Sequence, residues 1–314
     1  MSVLDRVDAE YLPVIKLVPP IDLADIAAAR TALQAVFAMA GTPDPHPGVD
    51  RSDHAIPNAP GAPDALMRLF RPRGVTGDLP GLVWIQGGGY VLTSANPDDV
   101  WCERIAHDLQ CVVASVIWRR APEHPFPAAH DDCFAALRWM VANAATLGVD
   151  AGRIVVGGAS SGGGAAASVA LRARDEGLPL RHQLLIYPML DDRNATRSSH
   201  LVTDPELWNR SNNILAWQAY LGAAYGTDEV SPYAAPARAS DLGGLAPATI
   251  LTGELDLFVD ENLAYAQRLL AADVPTEFHM YPAVHHGFDV HNPDGHQAKR
   301  MLADRDDALR RAFA

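Results

Sequence analysis

The chemistry of this chain gathers around one serine. Ser160 stands in Gly158-Ala159-Ser160-Ser161-Gly162, followed by Gly163, Gly164 and a run of alanines. A serine at a sharp strand-to-helix turn is held in a strained conformation that lifts its hydroxyl above the sheet, and glycines two before and two after remove side chains that would collide there. Ser160 has both glycines, whereas Ser161 would need one where Ala159 stands. A Gly- and Ser-rich turn without chemistry has the same composition, so the flanks decide. The apolar run before Gly158 reads as a strand and the small residues after Ser161 as a helix. The start of that helix directs the Ser161 N–H toward a developing oxyanion.

A nucleophilic serine also needs a base, an acid to orient the base, and donors for the oxyanion. Gly87, Gly88 and Gly89 follow Gln86 at the end of another apolar run, and three glycines let main-chain N–H groups approach a ligand closely. His285 and His286 lie side by side just past the last strand-like run. The chain order serine, acid, histidine then places the acid between them, beyond a late strand. Asp256, in Gly253-Glu254-Leu255-Asp256, meets that requirement. Glu254, Asp260 and Glu261 compete with it and otherwise read as a solvated face or helix caps.

These residues need a scaffold that brings strand ends together. Strand-like runs at 65–70, 82–86, 111–117, 153–157, 183–187, 249–252 and 276–281 alternate with helix-like runs at 97–109, 131–146, 162–176, 259–272 and 296–313. That alternation predicts a mainly parallel sheet covered on both faces, an α/β architecture. Residues 21–40 have the apolar spacing of an amphipathic helix stopped by Gly41-Thr42-Pro43, so 1–45 forms an N-terminal arm. Residues 46–63 read as a Pro-rich linker, and 64–189 with 241–314 as the core. The alternation breaks over 190–240, an insertion rich in aromatic residues. Phe37 from the arm and Trp208, Trp217 and Tyr220 from the insertion are expected to close an apolar pocket over Ser160.

Composition narrows the partners. Lys and Arg number 25 against 38 Asp and Glu, a net charge of -13, which disfavours nucleic acid and anionic membrane surfaces. No stretch reaches the roughly 18 apolar residues of a membrane span. The first twenty residues carry acids and prolines rather than the apolar core of a signal peptide. Cys102, Cys111 and Cys133 are too few for a disulfide framework or a zinc site, and a cytoplasmic location is expected. His285, His286, His291 and His296 lack metalloprotease spacing, so no metal or cofactor is expected.

Together the motifs resemble the hormone-sensitive-lipase family of α/β-hydrolases, the bacterial family IV esterases. The resemblance runs from about Leu82 to Phe288. The family's HGGG loop corresponds to Gln86-Gly87-Gly88-Gly89 and its GDSAGG elbow to Gly158-Ala159-Ser160-Ser161-Gly162-Gly163. Its DYRLAPE segment looks like Ile117-Trp118-Arg119-Arg120-Ala121-Pro122-Glu123, its DPLxDE motif like Asp256-Leu257-Phe258-Val259-Asp260-Glu261, and its HGF motif is His286-Gly287-Phe288. The resemblance implies an eight-stranded α/β-hydrolase sheet with a helical cap, and a triad of Ser160, Asp256 and His286. It also implies an oxyanion hole from the N–H groups of Gly88, Gly89 and Ser161, acyl transfer from a small ester substrate, and homodimers through a sheet edge. His286 is preferred to His285 because it directly precedes Gly-Phe. Gln86, Ile117 and Ala159 depart from the family pattern and imply an altered network behind the glycine loop. An amidase, deacetylase or lactonase would use the same triad; a non-catalytic small-molecule receptor on this scaffold would be expected to lack one of its members.

Overall fold

The computed structural model describes residues 2–17, 19–41, 44–92 and 98–314. Thr42 and Pro43, two of the expected helix-stop residues, lie outside them, as does residue 97. Among the described residues eight strands form one sheet: β1 (Val49–Ile56), β2 (Ala65–Pro72), β3 (Leu79–Ile85), β4 (Val112–Ile117), β5 (Val149–Ala159), β6 (His182–Ile186), β7 (Ala248–Gly253) and β8 (Thr276–Tyr281). Their spatial order is β1-β2-β4-β3-β5-β6-β7-β8. The β1–β2 and β2–β4 pairs are antiparallel and every later pair is parallel. Every residue of β3 and β7 is buried, as parallel strands covered on both faces require.

The helices are α1 (Leu12–Ile15), α2 (Ile26–Ala40), α3 (Asp99–Asp108), α4 (Ala128–Ala142), α5 (Ala144–Leu147), α6 (Ser161–Asp175), α7 (Arg197–Leu201), α8 (Arg210–Leu221), α9 (Val259–Ala271), α10 (Phe288–His291) and α11 (His296–Phe313). α6 begins Ser-Gly-Gly-Gly, a poor helical sequence in which each glycine costs about 1 kcal/mol relative to alanine. Packing explains its choice. A Cβ on Gly162 would stand 2.5 Å from Gln86 O, and one on Gly163 3.0 Å from Pro188 Cα. Only a side-chain-free turn lets this helix lie against the ends of β3 and β6.

The linker expectation fails over residues 49–56, which are strand β1. Only Val49 and Ile56 are buried in it, so it lacks the apolar alternation that announces a strand. Main-chain pairing to β2 makes it, helped by Asp53 opposite Arg68, whose carboxylate and guanidinium meet at 2.6 Å.

The arm and the insertion are joined over the carboxyl ends of the strands. Asn212 Oδ1 accepts from Leu23 N–H at 3.0 Å and its Nδ2 donates to Ile21 O at 2.7 Å, so one side chain of α8 clamps the segment before α2. Arg30 of α2 donates to Val91 O and Ala121 O, both at 2.7 Å, and pairs with Glu123 at 2.6 Å. The arm is thereby tied to the segment following the glycine loop.

Candidate active site

The end of β5 carries the serine. Ser160 has φ 58° and ψ −125°, a strained conformation for a residue with a side chain, and its N–H donates to Ile186 O at 2.9 Å. A Cβ on Gly158 would lie 2.7 Å from Ile85 O, which accounts for the glycine two residues before. From this turn Ser160 Oγ reaches His286 Nε2 at 2.9 Å, and His286 Nδ1 lies 2.7 Å from Asp256 Oδ2.

Asp256 and His286 follow β7 and β8. Asp256 is fully buried, and its second oxygen accepts from Phe258 N–H at 2.8 Å. The rings of Tyr187 and Phe258 meet the imidazole edge-on at 4.5 and 5.1 Å, which restricts its rotation. The competing acids are otherwise engaged. Glu254 pairs with Arg6 and accepts from Ala283 N–H at 3.0 Å, and Asp260 accepts from Ser198 N–H at 2.7 Å.

Glu261, expected on a solvated face or as a cap, is buried instead. It accepts from Leu190 N–H at 2.7 Å, fixing the start of the insertion, and burial pushes its carboxyl well above the usual range. His285 is buried against His291, with ring nitrogens 2.7 Å apart, and burial depresses both imidazoles, to about 3 and about 4. Among the described residues no group of three His, Cys, Asp or Glu side chains could hold a metal ion.

The glycine loop leaves β3 and crosses close to the serine. A Cβ on Gly87 would stand 3.2 Å from Ser160 Cβ. Gly88 and Gly89 adopt φ 123° and 59°, and the N–H groups of Gly88, Gly89 and Ser161 donate to no acceptor among the described residues. Behind the loop, Gln86 reaches Ser115 Oγ at 3.4 Å, its main-chain oxygen accepts from Trp118 Nε1 at 3.3 Å, and its buried Oε1 has no partner among the described residues.

A cavity of about 530 Å³ opens over Ser160 and His286. Phe37 and Trp208 line it as expected, but Trp217 and Tyr220 do not. Those two are buried beneath, with Tyr220 stacked on Tyr90 at 3.8 Å, where they support the loop rather than face the cavity. Trp208 sits directly on the loop, since a Cβ on Gly89 would be 2.5 Å from its ring. Asp98, Asp289 and Arg305 line the same cavity and escaped the sequence reading, because they come from separate elements and belong to no spaced motif.

The arrangement suits nucleophilic attack: a hydroxyl with a base within hydrogen-bond reach, a buried carboxylate behind that base, and unengaged donors beside it. The alpha/beta hydrolase fold family matches residues 82–290. Carboxylesterase NlhH of Mycobacterium tuberculosis is 38% identical over 73% of this chain and 72% of its own. Ethyl acetate hydrolase of Pseudomonas putida is 34% identical over 76% of this chain and 73% of its own. A solved bacterial heroin esterase superposes with a TM-score of 0.95 at 39% identity, covering 100% of both chains. The chain belongs to the alpha/beta hydrolase fold, in its hormone-sensitive-lipase-like group of family IV, and is a carboxylic ester hydrolase.

Proposed function

We propose that the chain hydrolyses short- to medium-chain carboxylic esters through an acyl-enzyme on Ser160. The observation that carries this reading is the hydrogen-bonded line Ser160, His286, Asp256 at the floor of one cavity. His286 takes the proton of Ser160 as its oxygen attacks the ester carbonyl, and the N–H groups of Gly88, Gly89 and Ser161 receive the oxyanion. His286 then protonates the leaving alcohol, and water repeats the sequence to release the acid. Asp256 holds the imidazole in the tautomer whose Nε2 accepts.

The roofed cavity sets the acyl range. Leu33 and Phe37 of the arm and Leu207 and Trp208 of the insertion supply its apolar walls. Each added methylene stabilises binding by about 0.8 kcal/mol only while it can still be buried. Catalytic efficiency therefore peaks at acyl chains of about two to eight carbons. Three free, buried cysteines favour a reducing, cytoplasmic setting. The β8 edge, with exposed Met280, is the surface for a homodimer, which sedimentation of the purified chain tests.

The deciding experiment is hydrolysis of a p-nitrophenyl ester chain-length series by the unmodified chain and Ser160→Ala. The proposal requires a loss of about a thousandfold or more in the variant. Retained turnover would remove Ser160 from the reaction, and a preference for emulsified long-chain triglyceride would overturn the acyl range.

A further inference from the structure

The cavity has polar equipment that ester hydrolysis does not use. Where α3, α10 and α11 meet the end of β3, its wall presents Trp84, Asp98, Trp101, Asp289 and Arg305. Asp98 accepts from Trp84 Nε1 at 2.7 Å, and Asp289 accepts from the Tyr187 hydroxyl at 2.9 Å. Both donors are neutral, and among the described residues neither carboxylate has an ion-pair partner within 4.0 Å. The adjacent Asp99 shows the contrast, with Arg68 at 2.5 Å and Arg51 at 3.4 Å. Burial, aided by the charge of Asp289, pushes Asp98 up to about 6, and burial raises Asp289 as well.

Arg305 does not neutralise the pair. Its Nε and one terminal nitrogen donate to Asp306 at 2.8 and 2.6 Å, and its Cζ lies 4.4 Å from the Trp101 ring centre. It is near enough to Asp289 to oppose the rise of that carboxyl, but both of its donated hydrogen bonds go to Asp306. Arg104, also on the lining, is largely exposed and pairs with Asp108 at 3.5 Å, while Glu206 of the insertion adds negative charge. Arg305 is 2% exposed, yet its remaining nitrogen, Nη1, has no acceptor among the described residues.

An alkyl chain in this arm would leave two carboxylates without a counter-charge and the buried Arg305 Nη1 without an acceptor. A cation beside an oxygen would satisfy all three. Carboxylates without a counter-cation recognise ammonium, and Trp84 and Trp101, tilted against each other with ring centres 4.1 Å apart, supply an aromatic wall beside them. We propose that this arm is a subsite for an ammonium group carried by the ester substrate, with Arg305 Nη1 donating to a hydroxyl, ether or carbonyl oxygen beside it. This rests on the esterase reading above.

The test is competitive inhibition of p-nitrophenyl acetate hydrolysis at about pH 8, where an aliphatic amine is protonated. The probes are 1-pentanol, n-pentylammonium and 2-amino-1-pentanol. The ammonium should bind at least about tenfold more tightly than the alcohol. Asp98→Asn and Asp289→Asn should each bring that ratio toward one, and reading a ratio within each variant removes any change in its basal turnover. The amino alcohol should bind more tightly than n-pentylammonium by a margin that Arg305→Met abolishes. Equal inhibition by alcohol and ammonium in the unmodified chain, or a ratio unmoved by either aspartate variant, would overturn the subsite. No gain from the added hydroxyl would remove Arg305 from it. Failure of the unmodified chain to turn over p-nitrophenyl acetate would instead strike the esterase reading.

Discussion

Asp256→Asn isolates what the buried carboxylate contributes, because the change keeps the shape and removes one charge. In the native site one oxygen of Asp256 accepts from Phe258 N–H and the other faces His286 Nδ1. An asparagine that keeps its oxygen on Phe258 N–H turns its NH2 toward His286. The imidazole then carries its proton on Nε2 and donates to Ser160 instead of accepting. The flipped amide restores the correct tautomer but sets its NH2 against Phe258 N–H, leaving a fully buried donor unsatisfied at about 1–3 kcal/mol. The competent conformer is thus about one molecule in 5 to 150. Losing the charge-assisted bond to the imidazolium costs about 1.5–3 kcal/mol more. The sum, about 3–6 kcal/mol, predicts a fall in kcat of about 10² to 10⁴-fold. Turnover of p-nitrophenyl acetate at saturating substrate, with a thermal melt to confirm folding, measures it. A loss below tenfold in a folded variant, or a larger loss from Glu254→Gln or Asp260→Asn, would refute the assignment.

Ser161→Ala should retain substantial activity, since only its N–H is assigned a role; a loss matching that of Ser160→Ala would contradict this. Gly89→Ala places a side chain at φ 59° against the Trp208 ring, so kcat/KM should fall, and by less in a Trp208→Ala background. Additive losses in that cycle would exclude the contact as the cause. His130 is buried beside Ser168 Oγ at 2.7 Å, and burial depresses its imidazole to about 3. A folded value below the ordinary one of about 6.5 means that the unfolded chain binds more protons between those limits. Its stabilisation is complete above about pH 6.5 and is lost as pH falls toward 3. Between pH 7 and 5 this single group should cost about 2 kcal/mol of unfolding free energy. Urea titrations at both pH values should show that part of the slope missing in His130→Asn.

The elbow was legible because its constraint is local. Gly158 and Gly162 are demanded by atoms within a few ångströms of a turn whose residues are consecutive, so type and spacing carry the geometry directly. β1 was not, because backbone pairing and the ion pairs of Asp50, Arg51 and Asp53 hold it, and neither leaves an apolar period. The aromatic residues of the insertion were legible as apolar mass but not by direction. Trp208 faces the glycine loop, while Trp217 and Tyr220, on one helix a few residues later, face the core beneath it.

The two adjacent histidines show where a local reading stops. Both follow β8, both are apt bases, and nothing in their types separates them. The fold separates them by direction. Gly287 takes φ 74° and Phe288 is fully buried, packed at 6.1 Å against Tyr11 from the N-terminal segment. That anchored turn sends His286 out between Tyr187 and Phe258 toward Ser160, and sends His285 inward to His291. The residues that separate the two therefore come from four distant parts of the chain. A short motif such as His-Gly-Phe can register their joint result, although no residue within it causes the choice alone. The same reasoning covers Asp98 and Asp289, which have no such motif to report them, and whose meeting at the cavity wall only the folded chain discloses.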